Sequence, residues 1–239
     1  MFDAGKRLKK LSSSTYRITE TSFPFLIRFE TFLSTSFMPI KNPHKQSKSV
    51  LDHLRKQGMS SEVQQRIGAF IVVWGMFETN LEVALWALCD EEVAGVRPST
   101  DKTRVGQWID ILANGSPKFN PEIQDLLRIT ALTAKDLMEY RHAIVHGWLM
   151  WGTTFIRNPR WHGEVSNRTS SDAHVDENLL DIALDAAWTI YRVVYVTRII
   201  CANSGLPENL LTLKPDVIRA QSISSELRNL TELMNHEKY

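Results

Sequence analysis

Two stretches of the chain each place a single charged residue on an otherwise apolar helical seam, and this pattern constrains the fold more than any other feature. Ser60-Ser61-Glu62 opens the first stretch, with Ser60 or Ser61 placed to cap a helix. Ile67, Phe70, Ile71, Trp74, Phe77, Leu81, Leu85 and Leu88 then recur at spacings of three and four. That is the period of an amphipathic helix about 30 residues long. In the second stretch Pro121 suits a first helical turn. Ile123, Leu126, Leu127, Thr130, Ala134, Leu137, Ile144 and Val145 continue it, and Gly147 is the expected stop. On the seam 67-71-74-78-81-85-88 the odd residue is Glu78. On the seam 123-127-130-134-137-141-144 it is Arg141. A lone buried charge is costly and two of opposite sign invite pairing, so Glu78 and Arg141 are expected to meet in the helical core or at its rim.

The rest of the chain extends this plan. A shorter helix is predicted near Thr103 to Ala113, stopped by Asn114-Gly115 and Pro117. A third long helix is predicted from about Asp176 to Ala202, with Leu179, Ile182, Ala183, Ala186, Ile190, Val193, Val194 and Ile200 on its apolar side. A final helix covers about Pro215 to Met234. Trp148 to Val165, rich in Trp, Thr, Phe and Ile with a turn signal at Asn158-Pro159, predicts a β-hairpin. Residues 166–174 are polar and read as a loop. No internal repeat is visible. The expected fold is all-α: an up-and-down helical bundle with the hairpin inserted after the second long helix.

Composition divides the chain. Apolar residues make up 43% and charged residues 23%, enough for a real core. The formal net charge of +1 is uneven. Residues 1–48 carry nine basic side chains against Asp3, Glu20 and Glu30, and the remainder is net acidic. Residues 1–45 read as a basic, flexible arm ending in a breaker-rich run at Pro39, Asn42 and Pro43, and Met38 is an alternative start. Residues 46–239 read as the helical domain. A nucleic-acid-coating domain would be basic throughout, so any nucleic-acid contact must come from a local site, with the arm as a helper. The apolar run from Ser22 to Ile40 is broken by Pro24, Arg28 and Glu30, and no membrane span is expected. Cys89 and Cys201 fall inside apolar helical patterns and are expected to be buried small hydrophobes rather than a disulfide framework. A cytoplasmic location follows as the default.

The candidate chemistry is local. Arg141, His142 and His146 cluster just before Gly147. His142 and His146, four apart, share a helical face. Arg141 and His146, five apart, diverge by about 140° and converge only through the long arginine side chain or a distorted last turn. Arginine grips a phosphate with a planar fork. Histidine moves a proton near neutral pH. In RNA the neighbouring 2′-hydroxyl is an internal nucleophile, so no metal and no cofactor are needed.

Tyr140-Arg141-His142-Ala143-Ile144-Val145-His146-Gly147 resembles the signature of HEPN domains: an Arg, four to six residues, then a His, with a polar residue after the Arg. Here the gap is four and His142 fills the polar position. Phe70-x3-Trp74-Gly75-x2-Glu78-x2-Leu81 is similar to the first long helix of bacterial HEPN-like proteins. The resemblance spans roughly residues 60–202. It implies a helical bundle that dimerises, with two Arg/His motifs facing across a cleft. It implies Arg141 and His146 as the catalytic pair of a metal-independent ribonuclease, His142 as polar accessory and Glu78 as an orienting acid. The settings it implies are toxin–antitoxin systems, phage defence and RNA processing, with RNA and a protein antidote or regulator as partners. Some members of the family are non-catalytic.

Two other readings compete. In one, the chain is a non-catalytic helical interaction and dimerisation module, with Trp148, Trp151 and Trp161 as its contact surface. In the other, His142, His146, His162 and His174 hold a metal, although no HExxH sequence is present and Ala143 stands where its glutamate would be. Walker-type, GxGxxG, GxSxG and paired CxxC motifs are absent.

Overall fold

The computed structural model describes residues 42–96, 98–150, 154–156, 172–203 and 208–236. The chain divides into units of residues 1–46 and 47–239. Of the first unit only residues 42–46 are described, so the arm expected over 1–45 lies almost wholly outside the described residues.

The described residues are mostly helical, as the all-α expectation required. Helix α1 spans Pro43–Lys56, α2 Ser61–Leu88, α3 Val105–Asn114, α4 Pro121–His146, α5 Glu177–Asn203, α6 Glu208–Leu211 and α7 Lys214–His236. Local chemistry sets the boundaries. The Ser60 hydroxyl accepts from Val63 N at 3.0 Å, Asn120 Oδ1 from Ile123 N at 2.9 Å, and Asp176 Oδ1 from Leu179 N at 2.7 Å. Each satisfies one of the orphan amides at a helix start. The Asn42-Pro43 run expected to break structure instead begins α1. Pro43 lacks the amide that a first turn cannot use, and Asn42 Oδ1 accepts from His44 N at 3.0 Å. Short α6 and a 3₁₀ turn over Ser99–Lys102 were not foreseen.

The helices share one apolar core. Phe70, Trp74, Phe77 and Leu81 of α2 are buried, as are Ile123, Leu126, Leu127 and Leu137 of α4 and Ile190, Val193 and Val194 of α5. Each large side chain of this kind contributes roughly 1.5–3 kcal/mol when fully buried. Helix α2 packs along α5, α4 packs on α3 and α7, and α5 on α7. Ala183, Ala186 and Ala187 keep the core face of α5 small. Long-range contacts fix directions. Arg66 Nε donates to Asp181 Oδ1 at 2.8 Å, and Arg198 Nη1 donates to Asn80 Oδ1 at 2.8 Å, so α2 and α5 run the same way. Arg192 meets Asp216 at 3.2 Å and Arg219 meets Asp185 at 3.1 Å, so α5 and α7 run opposed. Helix α2 is long and apolar enough to cross a membrane by length and composition alone. Its Phe70, Trp74, Phe77 and Leu81 sit in the core like those of an ordinary packed helix.

Strands are few. Among the described residues β1 is Trp148–Met150, β2 Thr154–Ile156 and β3 Asp172–His174. They form an antiparallel sheet of order β1-β2-β3, with Leu149 opposite Phe155 and Phe155 opposite Ala173. The strand at 172–174 falls where a loop was expected. Asn158-Pro159, where the hairpin turn was expected, lies outside the described residues. Helix α4 ends at His146, and Gly147 leaves it with φ −80° and ψ 161°. Any residue adopts that extended backbone. Glycine's left-handed freedom is not used here, and the chain passes directly into β1.

Candidate functional site

The two seam charges sit on the flank of the core rather than in its centre. On α2 the buried stripe runs through Phe70, Trp74, Phe77, Leu81 and Ala84, which leaves Glu78 half-buried beside it. On α4 the buried residues Tyr140 and Ile144 bracket a half-buried Arg141. No ion pair joins Glu78 to Arg141 among the described residues, so the direct pairing expected from sequence does not form. Glu78 Oε1 accepts from Trp74 Nε1 at 2.5 Å. Trp74, one turn earlier on the same helix, supplies the donor that the seam pattern had assigned to Arg141.

Both residues nevertheless line one cleft of about 910 Å³. Its walls come from α2, from residues 103–108 leading into α3, from the second half of α4 and from Arg228 of α7. Two of its cations are already neutralised. Lys135 Nζ meets Asp110 Oδ1 at 2.5 Å. Arg228 Nη1 donates to Asp136 Oδ1 at 3.0 Å, and the Ser225 hydroxyl donates to Asp136 Oδ2 at 3.3 Å. Asp136 is a buried carboxylate, and these donors hold it in place of water. Arg141 differs: its Nε is buried without a hydrogen-bond partner. A buried N–H without a partner is costly, and the residue that carries it is one of those lining the cleft.

Tyr140 anchors this end of α4. It is buried, its ring meets Phe70 edge-on at 6.0 Å, and its hydroxyl donates to the His174 carbonyl at 2.9 Å. Burial, with the Asp176 charge adding to it, pushes the Tyr140 hydroxyl well above the ordinary tyrosine value. Tyr140 thereby ties the Arg141 turn to the end of β3.

The histidines lie on the outer side. The rings of His142 and His146 stand 5.9 Å apart, tilted by 47°. His142 lines the cleft with Arg141, whereas His146 is exposed and is not among the lining residues. So Glu78, Arg141 and His142 share the cleft, and His146 joins them through His142 on the surface beside it. Among the described residues no group of three or more His, Cys, Asp or Glu side chains could hold a metal. His162, required by the four-histidine reading, lies outside the described residues, as do Trp151 and Trp161.

Sequence reasoning missed the other cleft residues, above all Trp108, Met138, Asp136 and Arg228. Asp136 and Arg228 are 92 residues apart, and no local pattern connects them. The only available hint was an acid one position before the apolar Leu137. The cysteines also depart from expectation. Cys89 is exposed because it is the C-cap of α2, beyond the last core turn. Cys201 is half-buried.

Comparisons with protein-family models, with curated proteins and with solved structures give no match to this chain.

Proposed function

We propose that this chain is a metal-independent endoribonuclease of the HEPN type, with Arg141 and His146 acting on RNA phosphodiesters, on an up-and-down bundle of α2, α4, α5 and α7. The observation that carries the reading is the placement of Arg141, which lines the cleft next to His142, whose ring stands 5.9 Å from that of the exposed His146. Arg141 would grip the phosphate and stabilise the charge that builds on its oxygens. His146, exposed at the end of α4, would serve as acid–base. The 2′-hydroxyl loses its proton and its oxygen attacks phosphorus. The bond to the 5′-oxygen breaks and that oxygen takes a proton, leaving a 2′,3′-cyclic phosphate and a 5′-hydroxyl. His142 would position His146 or the phosphate, and Glu78, held by Trp74, would contribute its charge to the same cleft as an accessory acid. The protein would work in the cytoplasm as a homodimer in a toxin–antitoxin or phage-defence setting, under a protein antidote or regulator.

The test is cleavage of single-stranded RNA in excess chelator. Wild type is expected to cut and leave cyclic phosphate ends. His146→Ala, with an unchanged circular dichroism spectrum, is expected to lose at least about a hundredfold in rate. Equal cleavage by the two proteins would remove the proposal.

A second reading, the non-catalytic interaction module, is favoured by a different observation: a broad exposed apolar face on α2 and α5, far along the sequence from the Arg/His turn.

A further inference from the structure

The cleft beside Arg141 is larger than one phosphate needs. Its volume of about 910 Å³ lies near the top of the range for sites that enclose drug-sized molecules, roughly 300–1,000 Å³. Arg141 and His142 belong to its α4 wall. A second wall is the start of α3, with Arg104, Gly106, Gln107 and Trp108, and Met138 of α4 lines the cleft with them. The cleavage reaction above gives none of these residues a role.

Contacts between the helices set the register of α3 on α4. Lys135 Nζ meets Asp110 Oδ1 at 2.5 Å. One turn earlier on α3 and one turn later on α4, a Cβ built on Gly106 would lie 3.8 Å from Met138 Cε. The two helices therefore run opposed. Carried one step further, this register sets Arg104 level with Arg141, to within about a turn. Helices in contact lie about 8–10 Å apart, so two arginine side chains are long enough to enter the same space from either side. Arg104 is exposed, and among the described residues no carboxylate pairs with it or with Arg141. Asp110, Asp136 and Glu78 are held by Lys135, Arg228 and Trp74 instead.

The wall beside the two arginines is apolar and held in place. Trp108 Nε1 donates to Thr103 Oγ1 at 2.6 Å and to the Thr100 carbonyl at 3.3 Å, so the indole keeps one orientation. Gln107 Oε1 accepts from Arg104 N at 2.9 Å and ties down the turn that carries Arg104. Half-buried Trp108 and Met138 thus present an aromatic and thioether surface next to a pair of guanidiniums. A single-stranded nucleic acid needs that combination: cations for its backbone and a flat ring for an unpaired base. We propose that the α3 wall is a nucleotide subsite for single-stranded RNA. Arg104 grips the phosphate next to the one held by Arg141, and the unpaired base between them lies against Trp108 and Met138. The inference rests on the nuclease reading for the identity of the ligand and adds which part of the strand this wall holds.

The test reads binding apart from cutting. The probe is a fluorescein-labelled single-stranded RNA hexamer with 2′-O-methyl groups, which lacks the 2′-hydroxyl nucleophile. Its anisotropy is followed with the full chain, in chelator, over a series of salt concentrations. Arg104→Ala is expected to weaken binding about tenfold or more. It is also expected to lower the slope of log Kd against log salt by about 0.7, the share of one phosphate on a single strand. Gly106→Leu removes no polar group and improves helix propensity, and its side chain extends over Met138. It is expected to weaken binding about tenfold and to leave the slope unchanged, the mark of a lost base contact. Both variants are expected to keep the wild-type circular dichroism spectrum, and an RNA duplex of the same sequence to compete at least about tenfold less well than the single strand. Unchanged affinity and slope in Arg104→Ala overturn the proposal. So does a duplex that competes as well as the single strand, or a wild-type chain that does not bind the probe. A chain that shows these binding changes and yet leaves natural RNA uncut removes the nuclease reading and supports the subsite.

Discussion

Trp74 Nε1 donates to Glu78 Oε1 at 2.5 Å across one turn of α2, tying a core indole to the carboxylate on the cleft wall. A buried indole needs a partner for its N–H, and a half-buried carboxylate needs donors. Each solves the other's problem. Trp74→Phe keeps most of the packing and removes the donor. The expected cost is about 1.5–3 kcal/mol, the range for hydrogen bonds to charged groups, plus a smaller cavity contribution. Denaturant unfolding measures it; a loss below about 0.5 kcal/mol would mean that water replaces the indole without penalty.

Arg141 is expected to be intolerant of lysine. Lysine keeps the charge but has neither the Nε donor nor the planar fork. Under the nuclease proposal Arg141→Lys lowers the cleavage rate at least about a hundredfold while leaving the unfolding midpoint near wild type. A variant that cuts normally would show that only charge is needed there.

Arg228→Ala takes the Arg228 donor from the Asp136 carboxylate and leaves it the Ser225 hydroxyl. Removing one partner of a fully buried pair costs about 3–5 kcal/mol. Arg228 is half exposed, so roughly 1–3 kcal/mol is expected. Asp136→Asn in the same background is expected to recover part of the loss, since a neutral amide is cheaper to bury. Failure to recover any would place the cost in lost packing of the arginine stem.

Stability on the alkaline side is expected to fall with Tyr140. Burial raises its hydroxyl above the ordinary value in the folded protein. The stabilisation is therefore fully present below about pH 10, the ordinary tyrosine value, and is lost as pH rises beyond it toward the folded value. Tyr140→Phe removes this slope and the bond to the His174 carbonyl. Thermal midpoints of both proteins between about pH 8 and pH 11 should converge as pH rises. Parallel curves would contradict the assignment.

The two thiols are expected to differ in reactivity. Cys89 is exposed, while burial pushes the Cys201 thiol up despite the nearby Lys118 ammonium. A maleimide should label Cys89 first, by more than about tenfold in rate, because the thiolate is the reacting form. Equal rates would mean that the end of α5 opens readily.

What was legible in the sequence was what repeats locally. The spacing of Phe70, Trp74, Phe77 and Leu81 announced α2, and Pro121 announced the start of α4 to the residue. The seam pattern also singled out Glu78 and Arg141, which do reach one cleft. It failed to give their partners because hydrogen-bond choice depends on atoms rather than periodicity. Trp74, four residues away, outcompeted Arg141 for Glu78. The Asp136–Arg228 pair and the meeting of α2 with α5 were invisible for another reason. Each joins segments about a hundred residues apart, and nothing in either segment names the other. The strand at Asp172–His174 was hidden because its three residues are too few to show a period of two.

The parallel pairing of α2 with α5 also has a consequence during synthesis. The ribosome completes α2 about 115 residues before the stretch that covers it. At 5–20 residues per second, a 28-residue apolar helix waits roughly 6 to 23 s for its cover. During that interval Phe70, Trp74 and Phe77 are open to chaperones and to neighbouring nascent chains. The yield of soluble protein should therefore depend on translation speed across residues 90–180 more than on the stability of the finished fold.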